Sequence, residues 1–364
     1  MRVTVTEHLL PLVAPLETSH GVIERRVVWV VALEDESGRI GLGEAAPLPA
    51  FGGEDPLTTH EVLSQALPLL DGDFVLSWLE RGRADAALGR LERMLAAAPC
   101  ARSAVEGALI DLLAQRQGQS VAECLAGGPA LERVPVNALV SGSLPDIERN
   151  ASERLAEGFT SFKLKVGGDV FADARRLRLL RQTVGEGAHI RVDANGSWDR
   201  KQAQFFVESA RDQRLEYCEQ LLHPDDLEGL AHLRKATGVR IAADEAIRQP
   251  SDVARLAAAQ AVDVVCLKPM FLGGWRATKQ AADLATSQGL EVVLTSSIDG
   301  CVGRAHATHI AAALGLSRRA QGLATGRLLA ADLTATPLRP VRGAIPIPDT
   351  AGLGIGAPSA ATQR

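Results

Sequence analysis

The 364-residue sequence predicts an α/β fold: a parallel (β/α) barrel of the TIM type preceded by a smaller α+β domain. Three observations predict it. Residues 1–130 read as strands followed by helices. After Gly127-Gly128, short apolar strands alternate with helical stretches. Charged residues close several of these strands at intervals of 24 to 28 residues, the length of one strand, one helix and two short loops.

The elements follow in order. Val27 to Leu33 is β-branched and aromatic, Glu34 to Arg39 is a turn signal, and Ile40 to Glu44 completes a hairpin. A loop rich in Pro and Gly runs from Ala45 to Gly53. From Asp55 to about Arg116 the pattern is helical, with Ala104-Val105, Ala108-Leu109 and Leu112-Leu113 recurring near the helical period. Residues 131–330 carry eight candidate strands: Val134 to Val140, Ser161 to Val166, His189 to Ala194, Leu215 to Glu219, Arg240 to Asp244, Asp263 to Lys268, Glu291 to Thr295 and Gln321 to Ala324. Eight strands joined by helices imply a closed parallel barrel. Residues 331–364, rich in Gly, Pro and Ala from Gly343 onward, are expected to pack back on the first domain.

Composition narrows the function. Lys plus Arg is 39 and Asp plus Glu is 44, a net charge of −5, which argues against nucleic-acid binding. No apolar run is long enough for a membrane helix, and no leader segment is expected. The five cysteines are widely spaced and odd in number, which suits reduced thiols and a cytoplasmic protein.

Lys165, Asp193, Glu219, Asp244 and Lys268 fall at the C-terminal ends of consecutive strands, where this architecture builds its active site. Charges converging there must be paired or must hold an ion. Asp193, Glu219 and Asp244 come from neighbouring strands three, four and five. Three hard oxygen ligands suit Mg2+, with Mn2+ as a substitute, and leave zinc without its preferred His and Cys. Lys165 and Lys268 come from strands two and six, on opposite sides of the mouth, and Lys163 shares the face of Lys165. This set suits a small-molecule carboxylate substrate. On such a substrate a lysine would remove the proton from the carbon next to the carboxylate, and the opposite lysine together with a bound metal would supply positive charge to the enediolate.

Five segments carry a family resemblance: Lys163-Leu164-Lys165, Val192 to Trp198, Tyr217-Cys218-Glu219-Gln220, Ala243-Asp244-Glu245 and Leu267-Lys268-Pro269. In order and spacing the chain resembles the enolase superfamily, in its muconate-cycloisomerase-like subgroup, over nearly its whole length. The first domain then resembles that subgroup's capping domain, whose loops, here around residues 15–25 and 46–54, set substrate choice. Within the subgroup, Glu44 to Pro49, Gly273-Gly274, Thr295 to Asp299 and Gly322 to Gly326 resemble the o-succinylbenzoate synthases of menaquinone biosynthesis. That resemblance implies syn-dehydration of 2-succinyl-6-hydroxy-2,4-cyclohexadiene-1-carboxylate. Lys165 would be the base and then the acid, Lys268 would stabilise the enediolate, and Asp193, Glu219 and Asp244 would hold Mg2+. Arg191 would position the metal site or the substrate, and Ser296 and Ser297 would bind the succinyl chain. Ala246, Leu221 and Gly300 depart from residues usual in the subgroup. The same catalytic set serves a racemase of N-acylamino acids, a dipeptide epimerase or a muconate cycloisomerase, and a non-catalytic carboxylate-binding barrel is the reading from another class.

Three further signals are set aside. His306 and His309 are three apart on a helix without an acidic partner, which suits packing. Gly352 to Gly356 imitates part of a dinucleotide loop but lacks the strand before it. Cys218 and Cys266, on barrel strands, read as small buried hydrophobes.

Overall fold

The computed structural model describes residues 1–18, 21–70, 93 and 95–359. The middle of the helical pattern expected over 55–116 (residues 71–92 and 94), the tip of the loop expected at 15–25 (residues 19–20) and the last residues of the tail (360–364) lie outside the described residues.

The chain opens with three antiparallel strands, β1 (Arg2–Thr18), β2 (Gly21–Glu34) and β3 (Ile40–Ala45), in that order in the sheet. The β2–β3 turn is built by Asp35, whose Oδ1 accepts the backbone N–H groups of Ser37 and Arg39 at 2.9 and 3.1 Å. Helix α1 (Pro56–Ala66) follows, and helix α2 (Pro99–Gln117) lies across β3. Only glycine permits that approach: a Cβ on Gly43 would stand 1.8 Å from the carbonyl oxygen of Ala104, and one on Gly41 2.2 Å from that of Ala108. Of the face expected to turn inward, Ala104, Val105, Ala108, Leu109 and Leu112 are buried and Leu113 is half-buried. Helix α3 (Val121–Ala126) starts on a Ser120/Glu123 capping box.

The barrel sheet is parallel: β5 (Ala138–Val140), β6 (Ser161–Lys165), β7 (His189–Asp193), β8 (Leu215–Glu219), β9 (Ile241–Ala243), β10 (Val264–Leu267) and β11 (Glu291–Leu294), each hydrogen-bonded to the next. Helices separate them, among them α4 (Leu144–Ala156), α5 (Val170–Val184), α6 (Arg200–Ser209), α7 (Leu227–Thr237) and α8 (Pro250–Ala258).

Two expected strands take another form. The first is split: β4 (Arg133–Pro135) leaves the barrel to pair antiparallel with β12 (Ala344–Pro346) from the tail. The eighth, expected at 321–324, is reduced to single bridges, Val136 to Gln321 and Thr295 to Gly322. Those bridges still close the ring, because Gln321 N donates to Pro135 O at 2.7 Å and Gly322 N to Leu294 O at 2.8 Å. The buried Gln321 side chain takes the place of further ladder bonds, accepting from Leu294 N at 2.7 Å and donating to Arg319 O at 2.6 Å.

One apolar core runs across the boundary between the two parts. Leu10, Val28, Leu33, Leu63 and Leu112 of the first domain pack in the same cluster as Met270, Phe271, Ile298 and Val302, which follow barrel strands β10 and β11. The tail joins it through Leu333 and Leu353, and Leu353 N donates to Asp111 Oδ1 at 2.9 Å.

Candidate active site

Parallel register brings the charges together. Lys165, Asp193 and Glu219 are directly paired across β6, β7 and β8, and Asp244 follows β9, the next strand. Lys268 follows β10, so three strands separate it from Lys165 and the acids lie between. Asp193, Glu219 and Asp244 are buried, and one carboxylate oxygen from each lies within 4.8 Å of the others.

The ammonium groups interleave with these acids. Lys163 Nζ lies 2.6 Å from Glu219 Oε1 and 2.9 Å from Asp193 Oδ2. Lys165 Nζ is 2.6 Å from Asp193 Oδ2, and Lys268 Nζ bonds Asp244 Oδ1. Burial by itself pushes Asp193 upward, but the Lys163 and Lys165 charges override it and hold that carboxyl well below the usual range. For Glu219 burial dominates, reinforced by the charges of Asp193 and Asp244, and its proton is held more tightly than usual. Lys268 is desolvated too, yet Asp244 and Glu245 raise it above the normal lysine range.

The donor set fits a divalent cation. It is oxygen-only, convergent and buried, and the repulsion felt at Glu219 is what such a cation would relieve. Asp193, Glu219 and Asp244 would hold it.

Two residues that the sequence reading left without a role complete the cluster. Asn195, in the left-handed region at φ 46°, accepts from Lys165 Nζ through Oδ1 at 2.6 Å and donates through Nδ2 to Glu245 Oε1 at 2.7 Å. Gln220 is wholly buried, and its Oε1 accepts the backbone N–H groups of Asp244 and Ala246 at 3.0 and 3.3 Å, which orients the fifth strand's end. The available signal was adjacency: Asn195 is two residues beyond one acid and Gln220 is one beyond another.

The remaining candidates divide. Ser296 Oγ is engaged with Thr325 Oγ1 at 2.7 Å, whereas Ser297 Oγ is buried without a hydrogen-bond partner among the described residues. Arg191 is not joined to the three acids. Its guanidinium donates to Glu216 Oε2 (3.0 and 2.5 Å), Tyr217 Oη (2.7 Å), Ala320 O (2.8 Å) and Ser161 Oγ (3.3 Å). His306 and His309 are tied to backbone. His306 Nε2 meets Leu42 O at 2.7 Å, and His309 accepts Ala122 N at Nδ1 and meets Leu353 O at Nε2, both at 3.1 Å. Cys218 and Cys266 are buried thiols pushed upward by burial.

A barrel mouth with three convergent carboxylates flanked by lysines has the donor set that metal-assisted proton chemistry next to a carboxylate requires. Residues 1–126 match the family model for the mandelate racemase / muconate lactonizing enzyme N-terminal domain, and residues 146–360 match the enolase C-terminal domain-like model. The chain belongs to the enolase superfamily and is an enzyme. It is 40% identical over 222 residues to an o-succinylbenzoate synthase of Thermobifida fusca, covering 60% of this chain and 68% of that one. The substrate-liganded L-Ala-D/L-Glu epimerase of Bacillus subtilis superposes with a TM-score of 0.89 at 27% identity over 99% of both chains. A dipeptide epimerase of Methylococcus capsulatus, complexed with Mg and the dipeptide L-Arg-D-Lys, superposes at 0.84 with 30% identity over 97% of this chain and 98% of that one. Among the described residues no helix is long and apolar enough to cross a membrane.

Proposed function

We propose that the chain is an o-succinylbenzoate synthase, dehydrating 2-succinyl-6-hydroxy-2,4-cyclohexadiene-1-carboxylate in menaquinone biosynthesis. The observation that carries the chemistry is the acid triad set between Lys165 and Lys268. When bound, Mg2+ supplies fixed positive charge to the substrate carboxylate as negative charge develops on it. Lys165, steadied by Asn195, takes the proton from the carbon bearing the carboxylate. It returns that proton to the hydroxyl leaving from the same face, so one water departs and the ring becomes aromatic. Lys268 holds positive charge on the other side of the acids, and Lys163 offsets charge beneath them. Ser297, with its unengaged hydroxyl, is the better placed of the two serines to meet the succinyl chain.

The relative from Thermobifida fusca supports this substrate. So does the segment Gly322 to Gly326 at the eighth-strand position, which resembles that of the synthases. A second reading, N-acylamino acid racemase or dipeptide epimerase, draws on the epimerase likenesses that span nearly the whole chain.

The test is aromatisation of the cyclohexadiene carboxylate by purified protein with Mg2+, followed by ultraviolet absorbance. The expected turnover lies between ~1 and ~1000 per second and is abolished by EDTA. No turnover by folded, Mg2+-binding protein overturns the dehydratase reading. α-Proton exchange of acylamino acids or dipeptides in D2O would then establish the second.

A further inference from the structure

Lys268 is held from outside the barrel. It caps the single-turn helix α9 (Pro269–Leu272), all four residues of which are buried. A helix this short has little stability of its own, so its placement depends on what it packs against. Within the turn, Phe271 N and Leu272 N return to Lys268 O at 3.0 and 2.9 Å, and Gly273 N and Gly274 N return to Pro269 O at 3.1 and 2.9 Å.

The outgoing end of the turn is gripped by α2 of the first domain. Arg102 donates Nε to Gly273 O at 3.0 Å and Nη2 to Leu272 O, so one planar guanidinium spans two successive carbonyls. Four residues further along the same helix, Glu106 Oε1 accepts Arg276 N at 3.3 Å. The turn ends on two glycines in the left-handed region. Gly273 and Gly274 have φ of 91° and 98°, and a Cβ on Gly273 would lie 2.2 Å from the Arg102 guanidinium. Met270 and Phe271 belong to the first domain's apolar core, and the Phe271 ring centroid is 5.9 Å from Lys268 Nζ.

We propose that Arg102 is a positioning residue for Lys268: by clasping the turn that Lys268 caps, the first domain fixes where that ammonium stands in the barrel mouth. This rests on the reading of Lys268 as a catalytic group. It assigns to the first domain a part in the chemistry that is separate from covering the substrate.

The test compares Arg102→Met, and the milder Arg102→Gln, with wild type and with Arg116→Met. Arg116 lies on the same helix and pairs with Asp35 at 3.0 Å, away from the turn. Lysines are labelled with trinitrobenzenesulfonate in the presence of Mg2+, and the ratio of Lys268 to Lys165 labelling is read by peptide mass spectrometry. Folding is checked by circular dichroism. The expected result is a severalfold rise in that ratio for Arg102→Met, with none for Arg116→Met. With the cyclohexadiene substrate, kcat should fall roughly tenfold while KM changes little. A folded Arg102→Met protein with the wild-type labelling ratio overturns the proposal. If that variant does not fold, Arg102→Gln carries the same measurement, because its amide is too short to span both carbonyls. Labelling needs no turnover, so absence of dehydratase activity in wild type leaves this test intact and separates the two failures.

Discussion

At the C-terminal ends of the barrel strands, three carboxylates point into one space. At the N-terminal ends of the same strands, carboxylates and guanidinium groups alternate: Arg191 with Glu216, Arg319 with Glu216 and Glu291, Arg240 with Glu291. Both ends bury charge, but the lower end strings it along a chain of shared ion pairs. Each carboxylate there is shared between two guanidinium groups, and despite burial Glu216 is held below the usual range by Arg191 and Arg319. Glu291 is likewise pulled to about 2 by Arg319 and Arg240. At the mouth, lysine point charges sit between the acids, and burial, reinforced by the charges of Asp193 and Asp244, raises Glu219 instead. Carboxylates chained to guanidinium groups make structure, whereas carboxylates brought to one point make a site for something else.

The largest expected effect lies at the mouth. Lys165→Ala should lower kcat on the order of a thousandfold or more while circular dichroism and the urea midpoint stay near wild type. Retention of most activity would remove Lys165 as the base. At the other end, Arg191→Met should cost about 3 kcal/mol in urea unfolding, because it strips a buried partner from Glu216 and a donor from Ala320. Its Mg2+ dependence should stay unchanged; a shifted Mg2+ half-saturation would join the two ends and break the comparison. Asp244→Asn sharpens it from the opposite side. It should raise the Mg2+ needed for half-maximal activity roughly tenfold to a hundredfold, with a smaller loss of stability than Arg191→Met. Unchanged metal dependence would take Asp244 out of the ligand set.

Arg191 shows where sequence reading reaches its limit. It shares a strand face with Asp193, and strand alternation cannot say how far up or down the barrel a long side chain turns. The structure turns it toward Glu216 and Tyr217. Asn195 and Gln220 were visible as letters beside acids, but their work depends on left-handed backbone at both, φ 46° and 38°, which no local pattern announces for residues other than glycine. The split first strand and the bridged eighth reflect partners distant in sequence, β12 and the Gln321 side chain.

The sequence by itself determined the strand–helix rhythm, the strand ends that carry the acids and lysines, and the superfamily, because each depends on residue types at fixed local spacing. Tertiary structure alone decided which charges meet and that the first domain grips the turn after Lys268 through Arg102 and a shared core. These outcomes depend on register between strands and on contacts between residues more than a hundred positions apart, such as Arg102 and Gly273. Only the folded chain brings such residues within reach of one another.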